Sequence, residues 1–189
     1  IVREMRDRHP DITYDVTTKV EHILRHRELW PELAPGLLFV VSAFETTNDR
    51  ILDILAKGHT AAQMGEAVHL LRSHGIEIRP SWMPFTPWTA QVDLVDILDF
   101  IARHDLVGNV DPVQLSIRLL VPDGSLLLAT PEMRPYLGDY DPAALSWSWK
   151  AEHPETDALQ RLLAEAAAEG ADAGDDPLVT FERMWGIVT

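Results

Sequence analysis

Cysteine is missing altogether from the 189 residues. Disulfides, thiolate nucleophiles and cysteine-held metals are therefore excluded within this stretch. Positive charge is scarce: 16 Lys and Arg stand against 30 Asp and Glu, a formal charge of −14. Proteins that grip nucleic-acid phosphates do so with clustered Lys and Arg, so no nucleic-acid partner is expected. Part of the acid lies between Glu152 and Asp176 and reads as a solvated face. No apolar run approaches the roughly 20 residues that a membrane-spanning helix needs, and no basic-then-apolar leader opens the chain. The expectation is a cytoplasmic protein with no membrane partner. A Gly-x-Gly-x-x-Gly turn and a Walker loop are also missing, which removes the common dinucleotide and nucleoside-triphosphate fingerprints.

What is present is organised around Gly36 to Asp49, GLLFVVSAFETTND. Leu37 to Phe44 is almost uninterruptedly apolar, with β-branched and aromatic side chains, and reads as a parallel-sheet strand buried on both faces. It stops at Glu45 and three small polar residues, after which Asn48 or Asp49 can cap a helix. In parallel α/β folds ligands are handled where strands end and helices begin, which is where Glu45 falls.

The other segments repeat the plan. Ile1 to His9 reads as the end of a charged helix, and with Ile rather than Met first the chain is expected to be a piece of a longer protein. Ile12 to Thr18 has strand composition, and a helix is predicted from about Lys19 to Leu29. Asp49 to Ala56 and Thr60 to Leu71 are predicted helices, closed by Lys57-Gly58 and Gly75. Ile76 to Trp82 is a third strand. Pro80, Pro84 and Pro87 then impose a shaped loop. Thr89 to His104 has a broad apolar helical face, and Val113 to Val121 is a predicted fourth strand. Beyond the turn at Pro122 to Ser125, Leu126 to Leu128 reads as a return strand or a helix start, and the pattern fades from Pro131 to Trp149. Glu155 to Ala168 is an Ala-rich helix, Gly170 to Asp176 a flexible acidic linker, and Pro177 to Trp185 a last helix.

Strands separated by helices favour a parallel sheet with right-handed crossovers. Four strands are too few to close an eight-stranded barrel. The expected fold is α/β: an open, partial β/α barrel of the TIM-like kind that lacks its first strands, over residues 1–130. An acidic, mostly helical C-terminal extension occupies 131–189.

Several of these segments together resemble the second half of the core of radical S-adenosylmethionine enzymes. They are Ile12 to Val20 (ITYDVTTKV), Val41 to Leu52 (VSAFETTNDRIL), Lys57-Gly58-His59-Thr60, and Arg79-Pro80 followed by Pro87-Trp88-Thr89. The likeness runs from about Ile12 to Leu128 and looks closest to actinobacterial radical proteins with a Cys- or selenocysteine-containing tail. No such tail is seen up to Thr189. Neither the Cys-x-x-x-Cys-x-x-Cys loop that holds the family's 4Fe-4S cluster nor its Gly-Gly-Glu strand is present. The resemblance places both upstream of Ile1.

The resemblance implies S-adenosylmethionine as cofactor and radical chemistry on an unknown small-molecule or peptide substrate in the complete protein. It sets Glu45, with Ser42, against the ribose hydroxyls, a task suited to a carboxylate because it accepts two hydrogen bonds from a vicinal diol. The plainer account of Glu45 is a charge favoured at a helix start. Arg79 and Ser81 end the third strand and are candidates to face cofactor or substrate, although Arg79 has Glu77 as an alternative partner. Gln114, Ser116 and Arg118 alternate along the predicted fourth strand and share one face, so Gln114 and Arg118 are further candidates for cofactor binding. Asp15 and Lys19 read as a polar pair at the barrel mouth or as a cap and a surface charge. Trp82 to Trp88 walls a pocket or covers the barrel end.

No metal site is expected. His22 and His26 are four apart on a helix, a spacing compatible with ligation, but no His-Glu-x-x-His motif accompanies them. His59, His69, His74 and His104 are scattered and read as structural. Two rival functions remain: a barrel-type lyase or isomerase using Lys19 or Lys57 with Glu45, and a non-catalytic barrel acting as a binding or scaffold module. Lys57, near a helix end, is expected away from the strand mouths.

Overall fold

The apolar run is a strand, β2 (Leu37–Glu45), and it is the centre of a three-stranded parallel sheet. The computed structural model describes residues 1–189. On one side of β2 lies β1 (Tyr14–Thr17), on the other β3 (Glu77–Trp82), both parallel to it. Parallel neighbours need long crossovers, and helices supply them. α1 (Val2–Arg8) precedes β1, and α2 (Val20–Arg25) and α3 (Trp30–Leu33) join it to β2. α4 (Asp49–Ile54) and α5 (Ala61–Ser73) join β2 to β3, and α6 (Gln91–Arg103) follows.

The expected buried character of β2 holds on one face only. Val40, Ser42 and Phe44 are fully enclosed, together with Ile78 and Trp82 of β3, against α2, α5 and α6. Phe44, Trp82 and Phe100 meet edge to face, with ring centroids 5.6 to 6.0 Å apart. Side chains alternate along a strand, so Phe39 and Val41 point the other way and are only partly covered. Their apolar surface borders a cavity rather than a helix layer.

The predicted helix from Lys19 to Leu29 breaks at His26, where the backbone turns into a single 3-10 turn, Arg27–Leu29. Trp30 then tucks into the core and donates its Nε1 hydrogen to the Ile23 carbonyl at 2.9 Å. Side-chain burial thus overrides continuation of the helix.

The fourth strand does not form. Asp111 caps a 3-10 helix at Pro112–Ser116, whose first residue is a proline and lacks the N–H a strand would need. What survives is one parallel bridge between Phe85 and Arg118. The free edge of β3 is met by a side chain instead: Trp82 N–H donates to Gln114 Oε1 at 2.9 Å. Leu126–Ala129 is another 3-10 turn.

The stretch in which the pattern fades contains an antiparallel hairpin, β4 (Leu137–Asp141) and β5 (Ser146–Trp149). It closes a second apolar cluster built on Ile51, Trp88, Leu119, Val121 and Met133. α7 (Pro154–Ala173) runs through half of the predicted linker and ends at Gly174, which adopts φ 67°. Left-handed backbone at that position suits glycine. Asp176 caps α8 (Pro177–Val188). Leu163, Ala166, Phe181, Met184 and Val188 from this pair join the same core as the sheet.

Candidate functional site

The carboxyl end of β2 holds the most unusual backbone of the sheet. Glu45 sits at φ 66°, a left-handed conformation that a β-carbon disfavours. It falls where the pairing with β3 slips: Ala43 pairs with Ser81, then Glu45 with Trp82. This bulge swings the carboxylate out of the strand's alternation, and the Lys57 ammonium pairs with Glu45 Oε1. Only 14% of the Glu45 side chain and 28% of that of Lys57 are exposed, so water screens the pair less than it would a surface pair. Lys57 thus reaches the strand mouth, contrary to the placement expected from its position near a helix end. The turn that brings it there uses positive φ at Ala56 and Gly58.

His59 is buried close to both charges of this pair. The backbones of Lys57 and Phe44 are close, yet neither ring nitrogen completes a hydrogen bond inside the protein. Burial holds the imidazole below its ordinary value of 6.5, which keeps it neutral; the Lys57 charge adds to this and Glu45 opposes it. Ser42, three residues before Glu45 on β2, is fully enclosed with an unpartnered Oγ.

The uncovered face of the sheet borders a cavity of about 810 Å³. Phe39, Val41, Arg79 and Ser81 line it from the sheet, Gln114 from the 3-10 turn, and small residues of α7 from across. The Arg79 guanidinium lies 3.9 Å from the centroid of the Phe39 ring rather than on Glu77. Glu77 instead pairs with Arg72 and accepts from Asn109.

The six residues singled out for cofactor binding therefore divide into groups. Arg79, Ser81 and Gln114 share the cavity. Glu45 is at the strand end, and Ser42 faces the opposite side of the sheet, against the helices. Arg118 does not share a strand face with Gln114 and Ser116, because no strand is there. It pairs with Asp157 of α7 and stacks 4.1 Å from the Trp149 ring. Ser116 donates to the Val113 carbonyl at 2.8 Å.

Asn48, not Asp49, caps α4, accepting from Ile51 N–H at 3.3 Å. Its amide also donates to Asp93 Oδ1 of α6 at 2.8 Å. Asp49 accepts from Ala61 N–H at 2.8 Å, at the start of α5. Asp15 is exposed and forms no ion pair with Lys19. The loop from Trp82 to Trp88 is packed, with Phe85, Thr86 and Trp88 buried. The His22 and His26 rings are 6.4 Å apart, and no three His, Asp or Glu side chains converge anywhere.

The sequence names Lys57 only for the rival lyase or isomerase and away from the strand mouths, and reads His59 as structural. Their signal was the Lys-Gly-His-Thr run between two short helices, where Gly58 at φ 71° folds the chain back toward the strand end.

No family model and no curated protein matches the chain. Solved structures do. The cobalamin-dependent S-adenosylmethionine radical enzyme OxsB, with aqua-cobalamin bound, superimposes over 86% of this chain with a TM-score of 0.70 at 13% identity. The same enzyme with aqua-cobalamin and S-adenosylmethionine bound gives 0.68 over 88% at 14% identity. The fold is shared with part of a radical S-adenosylmethionine enzyme. An N-terminally truncated Elp3 from the archaeon Methanocaldococcus infernus is more distant, with a TM-score of 0.53 over 83% of the chain at 16% identity. The chain spans about 30% of the OxsB chain and 32% of the Elp3 chain. No helix is long and apolar enough to cross a membrane.

Proposed function

We propose that the chain is the C-terminal portion of the core of a radical S-adenosylmethionine enzyme, an open partial β/α barrel (residues 1–130) with a C-terminal extension packed on it. The observation that carries this reading is the shared fold with OxsB over 86% of the chain. The open face of the sheet adds support, since it leaves a cavity of about 810 Å³ against β2 and β3.

The residues here do not fit an iron–sulfur cluster: there is no cysteine, and no three metal-binding side chains converge. Reductive cleavage of S-adenosylmethionine would be supplied by a cluster held elsewhere in the complete protein. The part of this chain is to bind and orient. Lys57 holds Oε1 of Glu45 and so fixes the carboxylate at the strand end, where its second oxygen accepts from a ribose hydroxyl. Arg79, Ser81 and Gln114 present donors to the cavity. Ser42, enclosed on the other face, supports the strand from behind.

The test is titration of the full-length protein with S-adenosylmethionine. A charge-assisted hydrogen bond contributes about 1.5–3 kcal/mol, so Glu45→Ala should raise the dissociation constant by about tenfold or more. Wild-type affinity in a variant that only melts earlier would reduce Glu45 to a helix-end charge. The contact between Lys57 and Glu45 also favours a second reading, a barrel-type lyase or isomerase using that pair. Binding of S-adenosylmethionine that depends on Glu45 separates the first reading from the second.

A further inference from the structure

In a chain with almost twice as many acids as bases, Arg79 has no carboxylate partner. Its guanidinium lies on the Phe39 ring, at 3.9 Å, and faces the cavity. Glu77, two residues back on the same strand face, is taken by Arg72 and Asn109. The two acids that border the cavity are also engaged. Asp111 accepts from Val113 N–H at 3.1 Å, and Asp175 pairs with Arg183 at 2.8 Å. Gln114 spends its Oε1 on Trp82 N–H, which leaves its amide N–H groups to donate.

Much of the remaining wall is small or apolar, with Asn109, Ser116 and Thr180 adding polar atoms. Val41 and Val113 stand on one side, and Ala164, Ala168 and Ala171 of α7 on the other. A volume of about 810 Å³ lies in the range of pockets that enclose small organic ligands. The aromatic ring fixes the plane of the guanidinium and shields one of its faces, which pre-organises its fork for a planar oxyanion.

We infer that this cavity takes a small molecule with a carboxylate or phosphate held by Arg79 and an attached flat or apolar body lying along α7. This rests on the function proposed above only in using the same open sheet face. It names the chemical class of ligand there.

The probes are benzoate, phenyl phosphate and uncharged benzyl alcohol, each followed by saturation-transfer NMR with the full-length protein. Both anions should bind, and benzyl alcohol about tenfold more weakly or worse. Arg79→Gln should weaken both anions by about tenfold and leave the alcohol unchanged. Arg79→Lys should fall between, because an ammonium keeps the charge and loses the fork. Ala164→Leu narrows the cavity from the α7 side without touching Arg79, and should weaken all three probes. Benzoate binding equally to wild type and Arg79→Gln, or no better than benzyl alcohol, would overturn the inference.

The arms keep this inference apart from the proposed function. Loss of the anion effect with S-adenosylmethionine still bound through Glu45 sinks this inference alone. Anion binding through Arg79 with no affinity for S-adenosylmethionine sinks only the earlier reading. Displacement of benzoate by S-adenosylmethionine would identify the cofactor's own carboxylate as the oxyanion, and additive binding of the two would assign it to the substrate.

Discussion

Lys57 closes onto Glu45 across a turn that the sequence spacing would place elsewhere, and the two side chains are mostly hidden from water. Glu45 is at the same time in a left-handed backbone conformation at a slip in the β2–β3 pairing. Unfavourable backbone persists where its surroundings over-determine it. The ion pair and the bulge together supply that constraint at the end of the central strand.

A double-mutant cycle on Glu45→Gln and Lys57→Met measures the pair. With both partners less than a third exposed, the expected cost of Lys57→Met lies between the surface and buried limits, about 1–2 kcal/mol. The coupling from urea unfolding should reach at least ~0.5 kcal/mol. Additive single effects would show that the two side chains do not hold one another.

Asn48 and Asp49 separate by mechanism. Asn48→Ala removes the cap of α4 and the tie to Asp93 of α6. The expected loss is about 1–2 kcal/mol. Asp49→Ala removes one exposed acceptor at the start of α5, and about 0.5–1 kcal/mol should go. Melting curves that rank the two in the opposite order would contradict this assignment.

Stability should fall on mild acidification. Burial depresses the folded-state pKa of His59, and that of His104 as well, where Arg103 and Arg72 add to the effect. Each group is thus protonated more readily in the unfolded chain, so its contribution is complete above the unfolded value near 6.5. That contribution drains as pH falls below it toward the folded values. Urea midpoints compared at pH ~7.5 and ~5.5 should show the loss, and His59→Gln combined with His104→Gln should shrink it. An undiminished pH slope in the double variant would assign the effect to other groups.

Gly170 carries the crossing of α7 over α8. A β-carbon there would overlap Thr180 Oγ1 and lie 3.1 Å from its Cγ2. Gly170→Ala should destabilise by about 1–3 kcal/mol through overpacking. Thr180→Ala removes both of those atoms, so the double variant should recover part of the loss. A Gly170→Ala protein with wild-type stability would show that the helices separate freely at this point.

The strands at Leu37–Glu45 and Glu77–Trp82, the helices that follow each, and a cap at Asn48 or its neighbour Asp49 are legible in the chain. Each depends on forces that act within a few residues: an apolar run, a capping oxygen, a glycine stop. Glu45 could be placed at a strand end for the same reason. What lay across the fold could not be read this way. Gln114 meets Trp82 from 32 residues away and replaces a strand ladder. Arg118 meets Asp157 from 39 residues away and leaves the presumed site. The hairpin Leu137–Trp149 forms because it covers Trp88 and Val121, not because its own residues alternate cleanly. Local propensity determined β2, β3 and the helices that follow them. Only tertiary packing decided that Ser42 turns inward, that Lys57 reaches Glu45, and that Arg79 is left facing a cavity without an acid.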